Sequence, residues 1–207
     1  MKELYIFDFD GTIIDSYRDS IKFFNITLEE YGLPTFEGEL EGLDYQIFRE
    51  FIHEQIDGME KEFMEKFTAN YKDSPQVNTY LFEGVFDVLK KLEDRGKTLA
   101  ICSNREQKNL EEMVFSYFKG ISFKYISGDR DGLHNKPDPY RINEILEKEN
   151  IARDKVLYFG DKVADIQAAR ASGIDMVLVT YGQGNDEAYN SSYPIKLIGS
   201  VEEILEF

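Results

Sequence analysis

Seven residues of this 207-residue chain have the types and spacing to do chemistry together: Asp8, Asp10, Ser103, Asn104, Lys136, Asp161 and Asp165. Asp8 and Asp10 close the apolar run Leu4-Tyr5-Ile6-Phe7 and precede Gly11, where the backbone can turn sharply. Two residues apart on an extended chain, both side chains point the same way. Like charges held together are costly unless a cation or a shared proton offsets them. A cluster of Asp oxygens suits a hard cation such as Mg²⁺, which takes few carboxylates, several waters and phosphate oxygens. A hydroxyl with N–H groups at a helix start suits a phosphate, and a lysine adds a point charge toward it. One carboxylate can attack phosphorus to form an aspartyl-phosphate; a second can protonate the leaving group and later take a proton from water. The set reads as phosphoryl transfer, in which positioning and charge neutralisation supply most of the catalysis.

Such residues need a frame that brings them to one rim. Leu4–Phe7 reads as a buried parallel strand. From residue 82 onward helical and strand patterns alternate. Helices are expected at about 85–95, 106–117, 138–150 and 164–171. Strands are expected at 98–102, 123–126, 155–159 and 175–180, with a small edge strand at 195–198 and a closing helix at 201–206. This alternation predicts an α/β fold, a Rossmann-like parallel sheet with helices on both faces. In such a sheet ligands bind outside the carboxyl ends of the strands. Asp8 and Asp10, Ser103-Asn104-Arg105, and Gly160-Asp161 with Asp165 all follow strands, and Lys136 precedes the helix that feeds the fourth one.

Between residues 16 and 78 nothing resembles a strand. Ser16 is a plausible N-cap for a helix running to Gly32-Leu33-Pro34, and two further helical patterns run at 45–56 and 59–71. An acidic connection, Glu37 to Asp44, separates the first two. The expected organisation is a core of residues 1–15 and 79–207 carrying an all-helical cap of residues 16–78, with Phe48, Phe51, Phe63 and Phe67 as the cap's own core.

Asp8-Phe9-Asp10-Gly11-Thr12, Ser103-Asn104, Lys136-Pro137-Asp138-Pro139 and Gly160-Asp161 with Asp165 resemble, in order, the four motifs of the haloacid dehalogenase-like hydrolases. The branch most similar is that of the phosphoglycolate phosphatases. The resemblance implies a Mg²⁺-dependent phosphomonoester hydrolase acting on a small-molecule phosphate ester. It implies Asp8 as nucleophile and metal ligand, and Asp10 as general acid/base with its backbone carbonyl on the metal. Ser103 and the Asn104 backbone would hold the transferring phosphoryl group, and Lys136 would offset charge on it and on Asp8. Asp161 and Asp165 would complete the metal site, and the helical segment would close as a mobile cap. An alternative in the same superfamily is a β-phosphoglucomutase-like phosphosugar mutase. Such relatives often carry a histidine after the first motif, and Asp15-Ser16-Tyr17-Arg18-Asp19-Ser20 has none. A third reading, a non-catalytic interaction protein on the same fold, predicts lost carboxylates, yet they are present. Lys162 departs from the family's usual small hydroxyl residue and places a cation beside the metal cluster.

The formal net charge of −16 argues against nucleic acid and acidic membrane surfaces as partners. No apolar run approaches the ~20 residues that span a bilayer. Absence of a signal peptide and a single cysteine fit a cytoplasmic setting. Monomer and homodimer stay open. Cys102 lies inside a strand and reads as packing; His53 and His134 read as surface or loop residues. Asp129-Arg130-Asp131-Gly132 faintly resembles a calcium loop without its later glutamate. Arg18, Lys22 and Arg49 read as solvated residues of the cap.

Overall fold

A computed structural model of the chain describes residues 1–38, 45–72, 74, 76–130, 132 and 134–207, without the side chains of Tyr45, Gln46 and Arg49. Most of the acidic connection (39–44), Asp131 of the calcium-like loop and the Arg49 side chain therefore lie outside the described residues. The chain divides into two compact units, one of Met1–Asp15 with Leu81–Phe207 and the other of Ser16–Tyr80.

The first unit is built on a six-stranded sheet of β1 (Leu4–Phe7), β4 (Thr98–Glu106), β5 (Phe123–Asp129), β6 (Val156–Gly160), β7 (Asp175–Val179) and β8 (Lys196–Ile198). Their order is β5-β4-β1-β6-β7-β8, and every pairing is parallel. The helices of this unit are α4 (Val85–Asp94), α5 (Gln107–Tyr117), α6 (Tyr140–Glu149), α7 (Val163–Ser172) and the single turn α8 (Asp186–Tyr189). Side chains of a strand alternate between its faces, and β1 shows why it can sit centrally: all four of its residues are fully buried. Tyr5 and Phe7 join the apolar cluster built with α4 and α5, and Leu4 and Ile6 join the one built with α6 and α7. This is the α/β fold that the alternating pattern predicts.

Two differences from the sequence reading concern strand ends. The strand after α4 continues past Cys102 to Glu106, with an irregular register between those residues, and β5 continues past Ile126 to Asp129. The polar Ser103-Asn104-Arg105 and Ser127-Gly128-Asp129 lack the apolar signature of a strand, which hid this extension. In addition, β2 (Ile14–Asp15) and β3 (Tyr80–Leu81) form a separate two-stranded sheet, too short for any period to register in sequence. The closing segment Val201–Glu206 is a 3₁₀ helix.

The second unit holds α1 (Tyr17–Glu30), α2 (Tyr45–Ile56) and α3 (Glu60–Lys72). Its apolar cluster contains the buried Ile21, Leu28, Phe48, Ile52, Ile56 and Phe63, with Phe24, Phe51 and Phe67 packed against it. The rings stack on one another, Phe24 and Phe67 with centroids 3.8 Å apart. The aromatic stripe is thus a core. Ser16 occupies the N-cap position of α1 without a side-chain cap bond. The first turn is held instead by Asp19, which is 1% exposed and accepts from Asn78 N, Asn78 Nδ2 and Thr79 Oγ1.

Candidate active site

Strand register brings the predicted residues together. Phe7 is level with Ile101 on one side and Phe159 on the other, so the residues after all three emerge at one rim. The strand order reverses at β1, which is where open parallel sheets leave a crevice. Asp8 N donates to Phe159 O at 2.8 Å, tying the first residue beyond β1 to β6.

Asp8, Asp161 and Asp165 each place a carboxylate oxygen within 4.8 Å of the others. All three are buried, at 5%, 0% and 1% exposure. Glycines make that density possible. A Cβ on Gly11, whose φ is +85°, would lie 2.2 Å from Asp161 Oδ2, and one on Gly182 would lie 2.1 Å from Gly11 O. Three buried carboxylates need positive charge. Lys136 Nζ supplies one, at 2.6 Å from Asp8 Oδ1 and 2.6 Å from Asp165 Oδ1, with Tyr158 OH at 3.0 Å as third acceptor. Lys136 is the one cation hydrogen-bonded to this group among the described residues, Lys162 acts on Asp161 only through space, and Asp161 Oδ1 is buried with no hydrogen-bond partner among the described residues. The donor set therefore fits a hard divalent cation.

The pKa values follow from this balance. Burial, reinforced by Asp165, raises the Asp8 carboxyl to about 7 despite Lys136. Burial likewise raises Asp161 to about 6, against the opposing charge of Lys162. Burial would raise Asp165 too, but the Lys136 charge and hydrogen bonds from Lys136, Lys162 N and Tyr158 hold it below its ordinary value. Burial alone would lower Lys136; Asp165 and Asp8 together hold it well above the usual lysine range. Asp165 is the most engaged carboxylate, since Oδ1 takes Lys136 and Tyr158 and Oδ2 takes Lys162 N at 3.0 Å. Lys162 points its ammonium to Gln183 Oε1, 2.9 Å away.

Asp10 is the exception to the shared cluster. Alternation along a strand would aim it with Asp8, but β1 ends at Phe7 and the chain turns at Gly11. Each carboxylate consequently has its own cation: Asp8 pairs with Lys136, and Asp10 accepts both arms of a fork from Arg105, Nε at 3.0 Å and Nη2. The Arg105 side chain is 5% exposed and its Nη1 donates to Asn109 Oδ1 at 2.8 Å.

Ser103 is buried, and its Oγ accepts from Arg105 N at 3.1 Å. The Asn104 side chain pairs with the backbone of Lys136, donating to its carbonyl at 2.9 Å and accepting from its N–H at 2.7 Å. Cys102 is fully buried, which pushes its thiol up to about 11 and leaves no thiolate for nucleophilic work. His134 stacks on Tyr140 with ring centroids 4.1 Å apart and faces Asp138.

Sequence reasoning passed over Arg105, Tyr158 and Arg141. Arg105 carried a signal, being a cation directly after Ser103-Asn104 at a strand end. Tyr158 lies inside the apolar run of β6 and Arg141 in a largely polar helix, and neither setting marks a role in the sequence.

The haloacid dehalogenase-like hydrolase family model matches residues 5–179. The chain belongs to this family. A phosphoglycolate phosphatase of Aliivibrio fischeri is 28% identical, the match covering 93% of this chain and 90% of the relative. One of Nitrosococcus oceani is also 28% identical, over 98% and 94%. A solved structure from Lactobacillus delbrueckii subsp. bulgaricus, provisionally described as a phosphoglycolate phosphatase, superposes with a TM-score of 0.82 at 27% identity, covering 100% of this chain and 98% of that one. A haloacid dehalogenase-like hydrolase of Streptococcus pneumoniae shares the fold at TM-score 0.80 and 20% identity, over 99% of this chain and 97% of its own. Family membership accounts for the co-occurrence of four strand-end motifs in one order.

Proposed function

We propose that the chain is a Mg²⁺-dependent phosphatase that cleaves a phosphomonoester of a small metabolite through an aspartyl-phosphate. The observation that carries this is the buried group of Asp8, Asp161 and Asp165 with a single lysine among them. The relatives named phosphoglycolate phosphatases make a short phosphorylated acid the first substrate to assay. Asp8, Asp161 and the backbone carbonyl of Asp10 would hold the metal, with Asp165 in support through Lys136 and Lys162 N. When bound, Mg²⁺ supplies Lewis-acid neutralisation of the phosphoryl oxygens.

Asp8 attacks phosphorus with its carboxylate oriented by Lys136. The bond from phosphorus to the ester oxygen breaks, and Asp10 gives that oxygen its proton. Ser103 Oγ and Asn104 N–H hold the phosphoryl oxygens during transfer, and Lys136 offsets their charge. Asp10 then takes a proton from water, the water oxygen bonds to phosphorus, and the bond to Asp8 breaks to release inorganic phosphate. The helical unit is proposed to act as a cap that selects the leaving group. The deciding experiment is phosphate release from a panel of small esters with Mg²⁺ and with EDTA, for wild type and Asp8→Asn. Turnover that needs Mg²⁺ and disappears in the variant is expected; turnover that persists in Asp8→Asn overturns the mechanism. Isomerisation of β-glucose 1-phosphate without phosphate release would replace hydrolysis by mutase chemistry.

A further inference from the structure

Arg141, in the first turn of α6, is 2% exposed, yet four neutral oxygens accept from its guanidinium. Nη1 donates to Ser103 O at 2.7 Å, Nε to His134 O at 2.8 Å, and Nη2 to Asn104 Oδ1 at 2.9 Å and to Asn135 Oδ1. The Asp138 charge reaches it only through space, and a buried cation whose hydrogen bonds end on neutral oxygens is expensive, so its placement calls for a reason.

The acceptors supply one. His134 and Asn135 lead directly into Lys136, and Asn104 Oδ1 also accepts from Lys136 N. One guanidinium therefore joins the loop that carries Lys136 to the end of β4. The bond to Ser103 O has a second effect. The Ser103–Asn104 peptide is trans, so its N–H leaves on the side opposite its carbonyl. A cation on the carbonyl draws electron density through the planar amide and strengthens the N–H as a donor, since hydrogen bonds in a chain polarise one another. That N–H is the one given above to a phosphoryl oxygen.

We propose that Arg141 is a positioning residue that, from behind the phosphate loop, polarises the Ser103–Asn104 amide toward the anionic phosphoryl group and fixes Lys136 beside it. The inference rests on the phosphoryl-transfer reading. It extends that reading to a residue with no direct contact to substrate.

The test is calorimetric binding of inorganic phosphate to the full chain with saturating Mg²⁺, for wild type, Arg141→Lys and Arg141→Gln, well below each protein's melting temperature. Hydrogen bonds to charged groups are worth enough that Arg141→Gln, which keeps polar atoms without charge, is expected to bind phosphate about tenfold more weakly. Arg141→Lys keeps the charge but not the fork that reaches all four oxygens, and is expected to lose less than Arg141→Gln, about threefold. Mg²⁺ affinity without phosphate is expected to change less than phosphate affinity does in Arg141→Gln, whereas general loosening of the loops would weaken both alike. Phosphate affinity unchanged in Arg141→Gln, or reduced alike in both variants, overturns the proposal. Should Arg141→Gln fail to fold, ¹⁵N-labelled wild type and Arg141→Lys decide: at saturating phosphate the downfield shift of the Asn104 amide proton is expected to be smaller in Arg141→Lys, and an equal shift overturns the proposal. A wild type that binds no phosphate with Mg²⁺ overturns the phosphoryl reading itself, whereas a wild type that binds it beside an indifferent Arg141→Gln overturns this inference alone.

Discussion

Asp8 and Asp10 differ in what surrounds them, and the roles proposed for them differ accordingly. Asp8 is walled in with two other carboxylates and one lysine, and burial there disfavours its anion until a further cation is supplied. Asp10 is gripped by a two-armed guanidinium, the geometry best suited to orienting a carboxylate. If the Arg105 fork aims Asp10 at the leaving oxygen, its loss should matter only where a proton is needed. Arg105→Ala is therefore expected to lower kcat on alkyl phosphates by about 10²-fold. On p-nitrophenyl phosphate, whose leaving group departs without protonation, it should lose only a few-fold. Parallel kinetics on the two esters measure the ratio; equal losses would make Arg105 merely structural. The raised carboxyls give a second expectation. Asp8 near 7 and Asp161 near 6 lie above the ordinary 3.8, so both favour folding below about pH 4, and that contribution is lost as the pH rises through 6 to 7. Asp165, held low, is ionised across the same window and adds no slope there. In EDTA the melting temperature is expected to fall between pH 5 and pH 8, and Mg²⁺ should raise it more at pH 8 than at pH 5. A thermal melt series with and without metal checks the sign.

At the scale of elements, strands and glycines hold the site, while one carboxylate pins the helical unit. Gly11→Ala would drive a Cβ to 2.2 Å from Asp161 Oδ2 at a φ of +85°. It is expected to abolish Mg²⁺ binding in calorimetry while the apolar faces of β1 keep the far-ultraviolet circular dichroism of the fold. Asp19→Ala would leave Thr79 Oγ1 and Asn78 N without their acceptor in the second unit. It should cost roughly 2–3 kcal/mol, measured by urea denaturation, because the lost bonds end on a buried charge. These elements also show what a sequence can disclose. β1, β6 and β7 are runs of buried apolar residues whose period and neighbours reveal a parallel sheet. Asp8 and Asp161 stood out because each follows such a run, and Lys136 because Lys136-Pro137-Asp138-Pro139 resembles a family motif. The polar tails of β4 and β5, the bridging tyrosine inside β6 and the buried arginine of α6 did not. Their roles depend on which partner meets them across the sheet, and spacing carries no record of that. The Asp8–Asp10 spacing likewise did not reveal that the two carboxylates take different cations, Lys136 and Arg105.

For the molecule as a whole, the net charge of −16 sets a field that opposes its proposed substrate. An anionic ester would approach against repulsion, offset at the proposed site by Lys136 and the proposed metal. Added salt screens that repulsion over about 10 Å at 0.1 M. KM for an anionic ester at saturating Mg²⁺ is therefore expected to fall between 10 and 150 mM NaCl, the reverse of an enzyme that steers its substrate in; steady-state kinetics across that range measure it. Among the described residues no helix is long and apolar enough to cross a membrane.

The short pairing of β2 with β3 places the departure and return of the helical unit side by side. An insertion with adjacent ends is a cassette. Its replacement by a segment of different length or shape need not disturb the register of the larger sheet or the carboxylates at its rim. Two crossovers, one at each of these adjacent ends, would exchange the part proposed to choose the leaving group and leave the part proposed to break the bond as it was.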